Sequence, residues 1–218
     1  MSVVSRYLDT SVAGRYLVVA PESERTLPLV VGFHGYGQDA ADALRLLRTL
    51  VGDLPCCLCS IEALHPFYAR GGQVGMSWMT SRDRERRIGE NLRYVDAVID
   101  ELHAGYSLND TFVLHGFSQG AAMAARVVIH GTRTPSGLML LGGGIPDELP
   151  LSALRCPVHL ARGRRDRIYR EEQFSADLER MQDAGMLHEA CVYEGGHSPE
   201  GEYADSASAF VRNCIAGG

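Results

Sequence analysis

The chain has 218 residues, 45% of them hydrophobic and 22% charged, which is enough for one domain, 1–218, with a substantial core. Its formal net charge of −6 gives no basic surface for nucleic acid, and no apolar run approaches a membrane span. No nucleic-acid partner and no stable membrane insertion are therefore expected.

The first residues, Met1 to Asp9, lack the continuous apolar stretch of an export signal, so a cytoplasmic location is expected. Arg15–Ala20 reads as a first strand and Leu27–Phe33 as a second, ending at the glycine-spaced turn His34-Gly35-Tyr36-Gly37. A helix is predicted over Ala40–Val51, with Leu44, Leu47, Leu50 and Val51 on one face. Leu54–Ile61 is the next strand, a continuous apolar run of the kind that parallel strands covered on both faces display. It holds Cys56, Cys57 and Cys59, three of six cysteines. Their spacing alternates faces on a strand and lacks a matching second pair, so they read as small hydrophobes and no metal is expected.

Glu62–Asp83 is a long irregular segment with Pro66, Gly71, Gly72, Gly75 and the single tryptophan, Trp78; connections of that length are usually functional or disordered. The helix Asp83–His103 follows, with Ile88, Leu92, Val95, Ile99 and Leu102 at helical spacing. Next come a strand at Thr111–His115, a helix at Gln119–His130, and strands at Ser136–Leu141 and Pro157–Ala161. A helix at Glu171–Ala184, a strand at Glu189–Tyr193 and a helix at Pro199–Ile215 complete the chain. Strands alternating with helices predict a mainly parallel sheet with helices on both faces, whose ligand site lies beyond the carboxyl ends of the strands.

The strand at Thr111 runs into Gly116-Phe117-Ser118-Gln119-Gly120 and then into an alanine-rich helix. This is a G-x-S-x-G nucleophile elbow in its strand–turn–helix context. The pattern alone is weak; the rest of the chain has to supply a base, an orienting acid and donors for an oxyanion. A serine hydroxyl needs a base within hydrogen-bond reach. Chain order puts that base after the acid and the acid after the serine. His159 lies inside a strand and His188 precedes one, whereas His197 follows the last strand on Gly195-Gly196 and is the expected base. Asp166 and Asp147 both follow strands at the right end of the sheet; Asp166, one strand before the histidine, is preferred as the acid. The oxyanion donors are expected to be the backbone N–H groups of Gln119 and Tyr36.

Phe33-His-Gly-Tyr-Gly-Gln-Asp, Trp78, Gly116-Phe-Ser-Gln-Gly, Gly163-Arg-Arg-Asp and Gly196-His197 together resemble the phospholipase/carboxylesterase family, over most of the chain from about Leu27 onward. The resemblance implies an α/β-hydrolase fold without a large cap domain. It further implies Ser118, Asp166 and His197 as a triad, Tyr36 and Gln119 at the oxyanion, and hydrolysis of small-molecule acyl esters without a cofactor. Thioesters, lysophospholipids or peptides are alternatives on the same machinery, as is a binding module that has lost catalysis; a homodimer stays open. The irregular segment, with Phe67, Met76 and Trp78, is expected to form one wall of an open substrate cleft.

Three departures from the family stand out. Trp78-Met79-Thr80 replaces the usual Trp-Phe-Asp, and Gly142-Gly143-Gly144 falls where the family carries a serine and bulkier residues. Arginines 162, 164, 165, 167 and 170 surround Asp166, reading either as a solvated loop or as a positive rim for anionic acyl groups.

Overall fold

The computed structural model describes residues 2–69, 71–199 and 201–217. Along them run β1 (Tyr16–Val19), β2 (Leu27–Phe33), α1 (Ala40–Val51), β3 (Cys57–Ile61), β4 (His65–Tyr68) and β5 (Val74–Ser77). Then follow α2 (Arg84–Gly105), β6 (Leu108–Phe117), α3 (Gln119–His130), β7 (Gly137–Leu141), β8 (Val158–Gly163), α4 (Glu171–Asp183), β9 (His188–Tyr193) and α5 (Glu202–Ala216). Seven strands form one sheet in the order β1-β3-β2-β6-β7-β8-β9. β1 is antiparallel to β3, and every other neighbouring pair in that sheet is parallel.

The period of the strands sorts their side chains into two layers. Leu29, Val31 and Phe33 of β2 face the layer formed with α2, α3 and α4, through Val95, Ile99, Ala124, Phe174 and Met181. Val30 faces the opposite layer, formed with Leu47 and Leu50 of α1 and with Tyr203, Phe210 and Val211 of α5. The cysteines follow the same alternation, Cys57 and Cys59 on the first side and Cys56 on the second. Burial pushes the Cys57 thiol up to about 11, so it packs as a neutral side chain. Each buried leucine or phenylalanine contributes roughly 1.5–3 kcal/mol of transfer free energy, and this double layer fixes the strand ends that carry the site.

The structure moves several predicted boundaries. β3 begins at Cys57 rather than Leu54, because the Leu54 N–H closes a turn onto the Val51 carbonyl (3.1 Å). β6 starts three residues before the predicted Thr111, and its polar first residues Asn109 and Asp110 carried no strand signal. α5 starts at Glu202 rather than Pro199. The segment Glu62–Asp83 is not irregular throughout: β4 and β5 pair antiparallel, from His65 opposite Ser77 to Tyr68 opposite Val74. Proline and glycine masked that hairpin. Pro66 is tolerated because β4 pairs only with β5 and leaves its other edge free.

Two buried histidines lie on strands that carry the site. His115 of β6 and His159 of β8 flank Met139 in register. His115 Nε2 hydrogen-bonds the Tyr203 hydroxyl (2.7 Å), and His159 Nε2 the Ser206 hydroxyl (2.8 Å), both on α5. Burial pulls His115 down to about 3, with the neighbouring His159 adding to the effect, and burial pulls His159 down to about 4. The unfolded chain binds these protons near pH 6.5 and the folded chain does not. The stability they allow is therefore complete above pH 6.5 and is lost as pH falls towards 4. His115→Gln is expected to make stability between pH 6 and 4 less steep by about 1 kcal/mol per pH unit. Urea midpoints across that range would read this out, and an unchanged slope would contradict it.

Candidate active site

The elbow is built where β6 meets α3. Ser118 takes φ 54° and ψ −117°, a backbone region that costs a non-glycine residue about 1–3 kcal/mol. Its glycine neighbours allow that turn. A Cβ on Gly116 would lie 2.4 Å from the Gly120 carbonyl oxygen, and one on Gly120 would lie 2.3 Å from the Phe33 carbonyl oxygen. The Ser118 N–H donates to the Leu141 carbonyl at 2.8 Å, tying the elbow to the end of β7.

The loops after β8 and β9 bring the predicted acid and base to the serine. His197 Nε2 lies 2.9 Å from Ser118 Oγ, and His197 Nδ1 lies 2.7 Å from Asp166 Oδ2. A carboxylate only accepts, so Nδ1 carries the ring proton and Nε2 is free to accept from the serine hydroxyl. Asp166 is 4% exposed, and its Oδ1 accepts from the N–H groups of Ile168 (2.8 Å) and Tyr169 (3.0 Å). The alternative acid, Asp147, points to solvent with its side chain 96% exposed and pairs with Arg180 instead. The imidazole rests against the Phe117 ring, centroids 5.0 Å apart, and over Gly142, whose φ is +61°.

The turn after β2 reaches the first turn of α3 so closely that only a glycine fits at position 120. Gln119 opens α3, where a helix N–H has no intrahelical partner, and among the described residues no hydrogen bond engages the Tyr36 N–H. The turn is held from behind. His34 Nε2 accepts from the Ala63 N–H (3.0 Å), while His34 Nδ1 faces the Gly35 carbonyl (2.7 Å). The Gly37 N–H donates to the Met76 carbonyl (2.9 Å), so the β4–β5 hairpin braces it as well.

Trp78 requires a correction. It is fully buried, its Nε1 donates to the His34 carbonyl (2.8 Å), and its ring stands against Phe33 and His34. It supports the turn and forms no cleft wall. Phe67 stacks on the half-exposed ring of Tyr36, centroids 4.6 Å apart, and Met76 is partly buried in the hairpin. None of the three lines the cleft that opens on Ser118. That cleft, of about 490 Å³, lies on the other side. Its walls are the Gly142–Gly144 run and the α4 segment with Gln173, Asp177 and Arg180. The arginines around Asp166 do not line it either. Arg162 is buried against Glu171, and Arg164 and Arg165 both pair with Glu194.

The Gln119 side chain and Asn91 were not foreseen as parts of the site. Gln119 Oε1 accepts from the Trp78 N–H (2.8 Å) and Ser77 Oγ (3.2 Å), and its Nε2 donates to the Met79 carbonyl (2.8 Å). Fully buried Asn91 donates to the Trp78 carbonyl (2.9 Å) and accepts from the Leu64 N–H (3.3 Å). A signal existed for Asn91: it falls three residues after Ile88 and four before Val95, a polar residue on an apolar stripe.

The chain matches the profile described as Phospholipase/Carboxylesterase over residues 14–215. Carboxylesterase SOBER1 of Arabidopsis thaliana is 28% identical over a 151-residue alignment that covers 62% of this chain and 66% of the relative, just under two thirds of its length. Among solved structures, esterase PE8 superposes with a TM-score of 0.75 at 25% identity, over 93% of this chain and 100% of that one. The Bacillus cereus carboxylesterase does so with a TM-score of 0.73 at 17% identity, over 92% and 94%. Zea mays acyl-protein thioesterase 2 gives 0.67 at 20% identity, over 93% and 100%; these last two show the fold alone. A mainly parallel sheet with helices on both faces, an elbow at the end of β6 and a match over almost the whole length make this an α/β-hydrolase fold, and the chain belongs to the phospholipase/carboxylesterase family.

Proposed function

We propose that this chain is a serine hydrolase of carboxylic acyl esters working through an acyl-enzyme, with Ser118 as nucleophile, His197 as base and Asp166 as its orienting acid. The observation that carries this reading is the unbroken hydrogen-bonded chain from Ser118 Oγ through His197 to the buried Asp166. His197 takes the hydroxyl proton as Ser118 Oγ attacks the ester carbonyl. The oxyanion that forms is met by the N–H groups of Tyr36 and Gln119. Collapse expels the alcohol, to which His197 returns the proton. Water then attacks the acyl-enzyme, again with His197 as base, and the acid leaves. The cycle consumes one water and no cofactor.

Among the described residues all six cysteines are free thiols, and no helix is long and apolar enough to cross a membrane. The free thiols favour work in a reducing compartment such as the cytoplasm. The test is covalent. A fluorophosphonate probe should add once per chain, at Ser118 by peptide mass spectrometry, and abolish hydrolysis of p-nitrophenyl acetate in proportion. Hydrolysis that survives full labelling, or a label elsewhere, would sink the proposal. Parallel rates on matched esters and thioesters assign the leaving atom.

A further inference from the structure

The cleft beside Ser118 is lined by Ala122, Ile145, Pro146, Ile168 and Ala176, and one stretch of it, Tyr169, Gln173, Asp177 and Arg180, is polar. A Cβ on Gly144 would lie 1.7 Å from Asp177 Oδ2 and 2.9 Å from the Tyr169 hydroxyl, so the glycine run leaves the room that these groups occupy. The Tyr169 hydroxyl donates to Asp177 Oδ2 (2.6 Å), and Arg180 Nη1 donates to Asp177 Oδ1 (2.9 Å). Arg180 is itself anchored on the Ile145 carbonyl (2.9 Å). Asp177 falls between Phe174 and Met181, the buried residues of α4, a position where a leucine would bury more apolar area. Burial pushes its carboxyl up, against the Tyr169 hydrogen bond and the Arg180 charge. Acyl transfer as proposed above makes no use of it.

The spare hydrogen-bonding capacity says what could bind. Each Asp177 oxygen keeps a lone pair, as does the Tyr169 oxygen. Gln173 Oε1 accepts from the Arg170 N–H (3.0 Å), and its NH₂ has no partner among the described residues. Arg180 is shared by Asp177 and the exposed Asp147, both of which line the cleft. A carboxylate on the substrate would face both of them, and a methyl group would strip water from Asp177 and Tyr169 without replacing its hydrogen bonds. A neutral group that both donates and accepts meets none of these penalties.

We propose that the Tyr169–Asp177–Gln173 wall is a substrate-binding subsite that selects esters with a neutral hydrogen-bonding arm, a hydroxyl or an amide, over plain alkyl esters. This rests on Ser118 being the nucleophile. Isosteric pairs test it on both sides of the ester bond: p-nitrophenyl 3-hydroxybutyrate against 3-methylbutyrate, and 2-hydroxyethyl acetate against propyl acetate. In one pair the hydroxyl member should be favoured about tenfold in kcat/KM. Asp177→Asn and Tyr169→Phe should each bring that ratio close to one. The ratio is internal to each preparation, so loss of folded protein does not imitate the effect. Protein that labels with fluorophosphonate yet prefers the methyl member, or neither member, in both pairs overturns the subsite. A ratio that survives in both variants removes it from this wall. Protein that neither labels nor hydrolyses any of the four overturns the hydrolase reading instead.

Discussion

Asp166→Asn is expected to lower kcat for ester hydrolysis roughly 10⁴-fold while the fold persists. The surroundings of Asp166 dictate why. Its Oδ1 accepts from two backbone N–H groups, Ile168 and Tyr169, whereas Oδ2 faces His197 Nδ1. An asparagine there must put its carbonyl oxygen towards the two N–H donors, which turns its NH₂ towards the imidazole. Nδ1 then has to accept, the ring proton moves to Nε2, and Nε2 presents a hydrogen to Ser118 Oγ instead of a lone pair. The serine loses its base without any change of shape. Fluorophosphonate labelling should slow by a similar factor, and the urea midpoint should move far less than activity does. If Asp147→Asn lost activity by orders of magnitude and Asp166→Asn did not, the acid would have been misassigned, and His197 with it.

The elements were readable in the chain wherever apolar periodicity alone determines them. β2, α1 and α3 match their predicted bounds because both faces of β2, one stripe of α1 and most of α3 are buried. The convergence of Ser118, His197 and Asp166 was readable for a related reason: each follows a strand of one parallel sheet, and chain order selects among few candidates. The β4–β5 hairpin was not readable. It stands outside the main sheet, β4 alternates only between half-buried and exposed, β5 buries a glycine and a serine, and the hairpin carries a proline and three nearby glycines, so its pairing leaves little hydrophobic pattern.

Trp78 was misread for a different physical reason. Trp78, Met76 and Phe67 are among the large apolar residues of that segment, and size suggested contact with substrate. Their hydrogen bonds and ring contacts spend that size on bracing the turn at His34–Gly37. The wall that does line the cleft comes from α4, where Asp177 sits within a helix read only by its apolar stripe. The five arginines next to Asp166 left two readings open, a solvated loop or a positive rim; Arg162 turns inward to Glu171, and Arg164 and Arg165 share Glu194. Sequence proximity carries charge into a neighbourhood without saying where each long side chain ends.

The position under the imidazole offers the second large effect. Gly142→Ala should lower kcat roughly tenfold to a hundredfold and stability by about 1 kcal/mol, the two losses having separate origins. The stability loss comes from the backbone, since φ of +61° is a region that side-chain-bearing residues enter at a cost. The rate loss comes from the ring, since the new Cβ would stand 3.0 Å from His197 Cε1 and 3.1 Å from Nδ1. Contacts that short push the imidazole by a few tenths of an ångström. The ring cannot slide away freely, because Phe117 lies 3.3 Å from the same Cβ and the Asp166 hydrogen bond restrains Nδ1. Gly185→Ala separates the two origins. Gly185 has φ of +66° with nothing within 4 Å of an added Cβ, so it should lose the same stability at undiminished kcat. Equal rates in the two variants would mean that the imidazole tolerates the displacement, and that Gly142 serves the turn after β7 rather than the placement of His197.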